Sequence, residues 1–185
     1  GDDLLSTALI AWQQIGGEQG TWRFQDGTLY TEGEGGGWLA TRRQYEDFRL
    51  SLEFRVPPSG NSGVFIRSPL EGDPAYTGME IQILDDYAEP WRNLNPYQYT
   101  GSIYDVQAPS ERATENAGRW QRMVITARGS QIGVVLNGRK IIDTDVTYYP
   151  YKADAHPGLQ REGGYIGLQN HGSRVEFRNI RIQVL

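Results

Sequence analysis

Phe48-Arg49-Leu50-Ser51-Leu52-Glu53-Phe54-Arg55-Val56 alternates throughout: Phe48, Leu50, Leu52, Phe54 and Val56 fall on one face, Arg49, Ser51, Glu53 and Arg55 on the other. Successive side chains of an extended chain point to opposite sides, so this stretch reads as a strand with one buried and one wet face. Pro57, Pro58 and Gly60 stop it, and Gly63 to Arg67 begins the next strand, with Val64 and Ile66 on one face and Phe65 and Arg67 on the other. Met79 to Leu84 repeats the pattern, Met79, Ile81 and Ile83 opposing Glu80 and Gln82. Farther on, Trp120 to Ala127 has strand character, and Val134 to Ile142 sets Asn137-Gly138 between two β-rich runs. That dipeptide accepts the positive φ that a type I′ hairpin turn needs at both central residues. Gly164 to Asn170 and Val175 to Leu185 finish the chain. In the last run the apolar parity switches from Val175 and Phe177 to Ile180, Ile182 and Val184, which predicts a β-bulge near Arg178 and Asn179.

No segment keeps a 3.6-residue apolar period, although Leu4 to Ile10 suits a short helix or turn. Roughly ten strands at this spacing point to an all-β, two-sheet antiparallel sandwich. The 185 residues, 38% of them hydrophobic, suit one globular domain over residues 1–185. With no cysteine, disulfide, zinc-thiolate and thiol chemistry are excluded. A formal charge of -5 has the wrong sign for a nucleic-acid partner, and no run approaches the ~20 apolar residues of a membrane helix. The chain starts at Gly1 without an initiator Met, which fits a leader removed upstream. The stretch from about Asp85 to Gly118 lacks clear strand character and is long for a structureless connection, so it is read as a functional lid or rim over one sheet.

The ordered motifs GWLATRRQYEDFRLSLEFRV, GNSGVFIRSP, GMEIQILDD, GSIYDV, RWQRMVITARG, LNGRKI, GYIGLQNHG and VEFRNIRI together resemble the DUF1080 family, also called the 3-keto-disaccharide hydrolase domain. The resemblance runs from about Trp12 to Leu185. It implies a concanavalin A-like jelly roll whose concave sheet carries a carbohydrate site, release of sugar from glycosides oxidised at C3, and a periplasmic or secreted location. Glu80, Gln82 and Asp85 look like a variant of the E-I-D-I-x-x-E strand motif of laminarinase-type glucanases in the same structural group, with Gln82 in place of the middle Asp and Asp85 in place of the second Glu. On an extended strand Asp85 lies about 16 Å from Glu80, far beyond the ~5 Å of a retaining carboxyl pair. Ordinary double-displacement hydrolysis of unoxidised glucan therefore ranks last.

Elimination from a 3-keto-glycoside needs one base, one acid and an oxyanion partner instead. His171 shares the polar face of its strand with Gln169 and Tyr165, opposite Ile166 and Leu168, and either His171 or Glu80 is read as the base. Asp85 or Tyr104 is read as the acid and Arg67 as the oxygen stabiliser, with Gln82 and Gln169 orienting hydroxyls. Each has a plainer reading: Glu80 and Gln82 paired with Arg67 across the strands, a turn histidine, a packing tyrosine. Eight of the eleven tyrosines fall between Tyr76 and Tyr151, and Tyr87, Tyr97, Tyr99 and Trp91 are read as a stacking surface for sugar rings. The alternative is a mini-core that holds the loop down, a role given first to Tyr148, Tyr149 and Tyr151. His156 reads as a solvated rim residue. Two histidines without ligand spacing give a weak metal signal, so no metal ligand and no certain cofactor are assigned, and a divalent ion polarising the C2 and C3 oxygens is carried only as an option. The partner is a carbohydrate, and the competing function is a non-catalytic carbohydrate-binding module on the same sandwich.

Overall fold

A computed structural model describes residues 2–3 and 11–185. Two antiparallel sheets face each other. The larger runs β11 (Arg139–Asp145), β10 (Gln131–Leu136), β9 (Gln121–Arg128), β6 (Phe48–Arg55), β13 (Val175–Val184), β4 (Thr28–Thr31), β3 (Trp22–Gln25), with β1 (Asp2–Asp3) also paired to β13. The smaller runs β2 (Trp12–Ile15), β5 (Trp38–Tyr45), β12 (Gly164–Gln169), β7 (Asn61–Ser68), β8 (Met79–Leu84). The all-β sandwich expected from the alternation is the fold observed. It has more strands than the roughly ten expected because β1 to β4 are two to four residues long, too short to show a period. The helix or turn expected at Leu4 to Ile10 lies outside the described residues.

The core lies between the sheets. Phe48, Leu50, Leu52 and Phe54 of β6 are buried together with Met123 and Ile125 of β9 and with Val64, Ile66, Ile81, Ile83, Ile166 and Leu168 of the smaller sheet. Each large apolar side chain contributes about 1.5–3 kcal/mol by leaving water. On β13 the pairing with β6 shifts register between Arg178 and Arg181, and Asn179 takes φ +53°. This is the expected bulge: it keeps Phe177 and Ile180 both inside despite their odd spacing. Asn137 and Gly138, at φ +51° and +83°, make the expected turn between β10 and β11.

One helix matters for the site. Asp73 caps α1 (Pro74–Thr77), its Oδ1 accepting from the Ala75 amide at 3.0 Å, and Pro74 at the first helical position needs no amide partner. The stretch from Asp85 to Gly118 runs along the free edge of β8: the Gln82 amide donates to Ser102 O at 3.1 Å, Gly101 N to Gln82 O at 2.9 Å and Tyr104 N to Glu80 O at 2.8 Å. Ile103 and Val106 join the main core. The loop is a rim that covers an otherwise unpaired sheet edge. Among the described residues, no helix is long and apolar enough to cross a membrane.

Candidate functional site

Period-two alternation puts Met79, Ile81 and Ile83 in the core and turns Glu80 and Gln82 to the outer face of the smaller sheet. Neighbouring β7 supplies Gly63 there, opposite Gln82. A Cβ on Gly63 would fall 2.3 Å from Glu80 Oε2, so the carboxyl lies in space that only glycine leaves open. A cavity of about 300 Å³ stands over this patch, lined by Glu80, Gln82, Gln169, Tyr104 and His171 together with Asn61, Asp73, Ala75 and Tyr76.

Glu80 is 3% exposed, and among the described residues no Lys or Arg lines the cavity around it. Burial pushes its pKa up to about 8 and the nearby charge of Asp73 adds to the rise, against a hydrogen bond from Gln169 that lowers it. Gln169 lines the cavity, and its Oε1 is buried without a hydrogen-bond partner among the described residues. Gln82 is held by the rim: its Nε2 donates to Gln98 O at 3.1 Å and its Oε1 accepts from the Ile83 amide at 3.1 Å. Gln98 Nε2 in turn lies 3.4 Å from the Tyr104 hydroxyl. His171 is exposed at the mouth.

Five of the residues expected at the site thus meet at one cavity, and six lie elsewhere. Arg67 takes φ +52° beside a register shift of β12, which breaks the alternation that would have put it near Glu80. Its guanidinium is buried instead against Glu46 O at 2.9 Å, Gly129 O and Asp47 at 3.2 Å, because a desolvated Arg needs acceptors for its donors and two turns offer them. The separate cavity of about 330 Å³ beside it is lined by Arg67 and Arg161, whose Nε donates to Arg67 O at 2.8 Å. Nor does Arg67 pair with Glu80. Asp85 accepts from the Ser59 amide at 2.9 Å and fastens the turn between β6 and β7. Trp91 is half-buried, and its carbonyl accepts from the Tyr99 hydroxyl at 2.6 Å. The Arg112 guanidinium lies over the rings of Tyr87 and Tyr99, at 5.5 and 4.5 Å, and Lys152 lies over Tyr97 at 5.0 Å. These four aromatics brace the rim and do not line the cavity.

Other expectations reverse. His156 is buried rather than solvated, since Asp105 and the Tyr76 ring enclose it. Tyr148 and Tyr151 are 70% and 74% exposed, so Tyr149 alone of that trio packs on the core. Tyr76 and Asp73 were not expected in the cavity. The Asp73-Pro74 pair was the available signal, a helix start that turns the following residues back over β8. Among the described residues no group of three or more His, Cys, Asp or Glu is placed to hold a metal ion.

Residues 4–183 match the 3-keto-alpha-glucoside-1,2-lyase-like domain. The chain belongs to that family. A 3-keto-disaccharide hydrolase of Bacteroides thetaiotaomicron is 26% identical over 208 residues, covering 89% of this chain and 70% of that protein. A Parabacteroides distasonis protein, provisionally described as a glycosyl hydrolase, superposes with a TM-score of 0.86 at 29% identity, over 100% of this chain and 98% of its own. A carbohydrate-binding module of Bacillus subtilis shares the fold alone, with a TM-score of 0.61 at 15% identity, over 94% of this chain and 95% of the module. As a member of the 3-keto-alpha-glucoside-1,2-lyase-like family, this chain is a glycoside-acting domain, and the cavity over Glu80 is its candidate active site.

Proposed function

We propose that the chain cleaves glycosides carrying a ketone at C3 by elimination followed by hydration. The observation that carries this is Glu80: a buried carboxyl with its pKa pushed up to about 8, on the wall of a cavity that no Lys or Arg lines and that also holds Asp73, His171, amides and tyrosines. A C3 ketone acidifies the C2 proton, and a desolvated carboxylate is a stronger base than an ordinary one, better matched to that proton near neutral pH. Glu80 takes the C2 proton, the C1–O bond breaks as the C1=C2 bond forms, and the departing oxygen is protonated. Tyr104 is assigned as that acid, because Asp85 is elsewhere. Water then adds across C1=C2, placing OH on C1 and H on C2, so the sum is hydrolysis. The family's 1,2-lyase description supports an elimination across C1 and C2, in which the C1–O and C2–H bonds break and C1=C2 forms.

Matched 3-keto and parent disaccharides test the proposal. The oxidised substrate alone should be cleaved, with kcat/KM rising with pH until Glu80 is ionised, near 8. Glu80→Gln should lower turnover by about 10²–10⁴-fold, the usual worth of positioned proton transfer. Saccharide binding without cleavage of either substrate, with or without divalent metal, would replace the enzyme by a binding module.

A further inference from the structure

Behind the cavity wall lies a pair that the proposed chemistry does not use, a buried imidazole bonded to a carboxylate that is one-third exposed. His156 is 1% exposed, and its Nε2 stands 2.8 Å from Asp105 Oδ2. Its ring lies against that of Tyr76, with centroids 4.6 Å apart and planes at 33°. Asp105 directly follows Tyr104 and holds φ +62°, a left-handed conformation that a non-glycine residue keeps only where its surroundings enforce it. The enforcing contacts are visible: the Asp105 amide donates to Tyr97 O at 3.0 Å, and Lys152 Nζ lies 3.8 Å from Asp105 Oδ1. The His156 amide donates to Lys152 O at 2.8 Å. Three segments distant in sequence therefore meet at one imidazole: α1 with Tyr76, the rim with Tyr104, and the turn from Lys152 to Gln160.

A buried imidazole is a costly way to fill space, since an apolar side chain would do so without desolvating a polar ring that then needs a partner. What the pair adds is direction, because its hydrogen bond fixes ring and loop relative to each other. We infer that His156 and Asp105 are positioning residues, which hold the Tyr76 ring and the Tyr104 backbone in one preset arrangement so that both tyrosines present a fixed wall to the sugar. This rests on the cavity being the sugar site. The titratable groups facing Tyr76 are His156, Tyr104, Asp105, Asp73 and Glu80; burial first, and then the negative charge of the last four, hold its phenol above the ordinary tyrosine value.

The test combines a measurement without substrate and one with it. In the ligand-free protein, ring-labelled tyrosine is titrated by NMR, the Tyr76 signal being identified by its loss in Tyr76→Phe. Asp105→Asn should move the ionisation of Tyr76 to lower pH, because the variant keeps the shape and loses the charge. With a 3-keto-disaccharide, His156→Phe keeps an aromatic against Tyr76 but loses the bond to Asp105, and should lower kcat roughly ten- to a hundredfold, the scale of an ångström-sized misplacement. In the Tyr76→Phe background the same change should cost less than in the wild type, because only the part that acts through Tyr104 remains. An unmoved Tyr76 titration in Asp105→Asn, or full multiplication of the His156→Phe and Tyr76→Phe losses, would overturn the inference. A wild type that cleaves no 3-keto substrate defeats the function proposed above, and the titration still decides whether the pair governs Tyr76.

Discussion

Glu80, the proposed base, taxes the fold. Its pKa rises from 4.5 to about 8 on folding, so between those pH values the unfolded chain releases a proton that the folded chain retains. The sign follows from linkage: the stability tied to the protonated group is fully present below about 4.5 and is lost as pH rises through 8. Glu80→Gln has nearly the same size and no proton to lose. It should be more stable than the wild type at pH 8 by roughly 2–5 kcal/mol, as a shift of several pKa units implies, while the two proteins should match near pH 4.5. Denaturant unfolding at both pH values checks this, and equal pH dependence in wild type and variant would show that another group carries the strain. A residue that lowers stability where it raises reactivity is the pattern expected of an active-site acid or base.

At the scale of the element, β7 and β8 make the site by register. Gly63 stands beside Glu80 because β7 and β8 pair with Val64 opposite Ile81, and a one-residue slip would place a β-branched side chain where the carboxyl now lies. Gly63 has no positive φ, so its strand can accept alanine; the conflict is with Glu80 Oε2, 2.3 Å from the added Cβ. Gly63→Ala should therefore fold and lose at least about tenfold in kcat/KM by displacing the base. Gly138→Ala supplies the contrast. At φ +83° in the hairpin turn it meets nothing within 4 Å, yet alanine is strained there. It should lower stability by roughly 1 kcal/mol and leave the kinetics unchanged. Melting curves and initial rates on the two variants separate a site defect from a folding defect.

At the scale of the whole molecule, the candidate site lies on one face of the smaller sheet, and the long rim shapes that face. The rim's aromatics belong to its own packing: Tyr99 holds the Trp91 carbonyl, and Arg112 spans Tyr87 and Tyr99. Trp91→Ala should lower the melting temperature and leave saccharide affinity within about twofold, whereas Gln169→Ala, which removes the amide that lines the cavity and bonds Glu80, should weaken affinity by roughly tenfold, about the worth of one hydrogen bond to a buried partner. Calorimetric titration of both variants with one saccharide decides; a large loss in Trp91→Ala would return that ring to the sugar. Alternation by twos was sufficient to read the sandwich, the bulge at Arg178 and Asn179, the Asn137-Gly138 hairpin, and the common outward face of Glu80, Gln82 and Gln169, because each of these is set by local geometry along one strand or one turn. Tertiary structure alone decided that Arg67 turns into the protein, that Asp85 fastens a neighbouring turn, that His156 is buried, and that Tyr76 and Asp73 complete the cavity. Strand parity states which face a side chain takes and nothing about what will meet it there. Arg67 finds its acceptors at Glu46 and Gly129, and His156 its carboxylate at Asp105, only after separate turns are brought together by the packing of the two sheets.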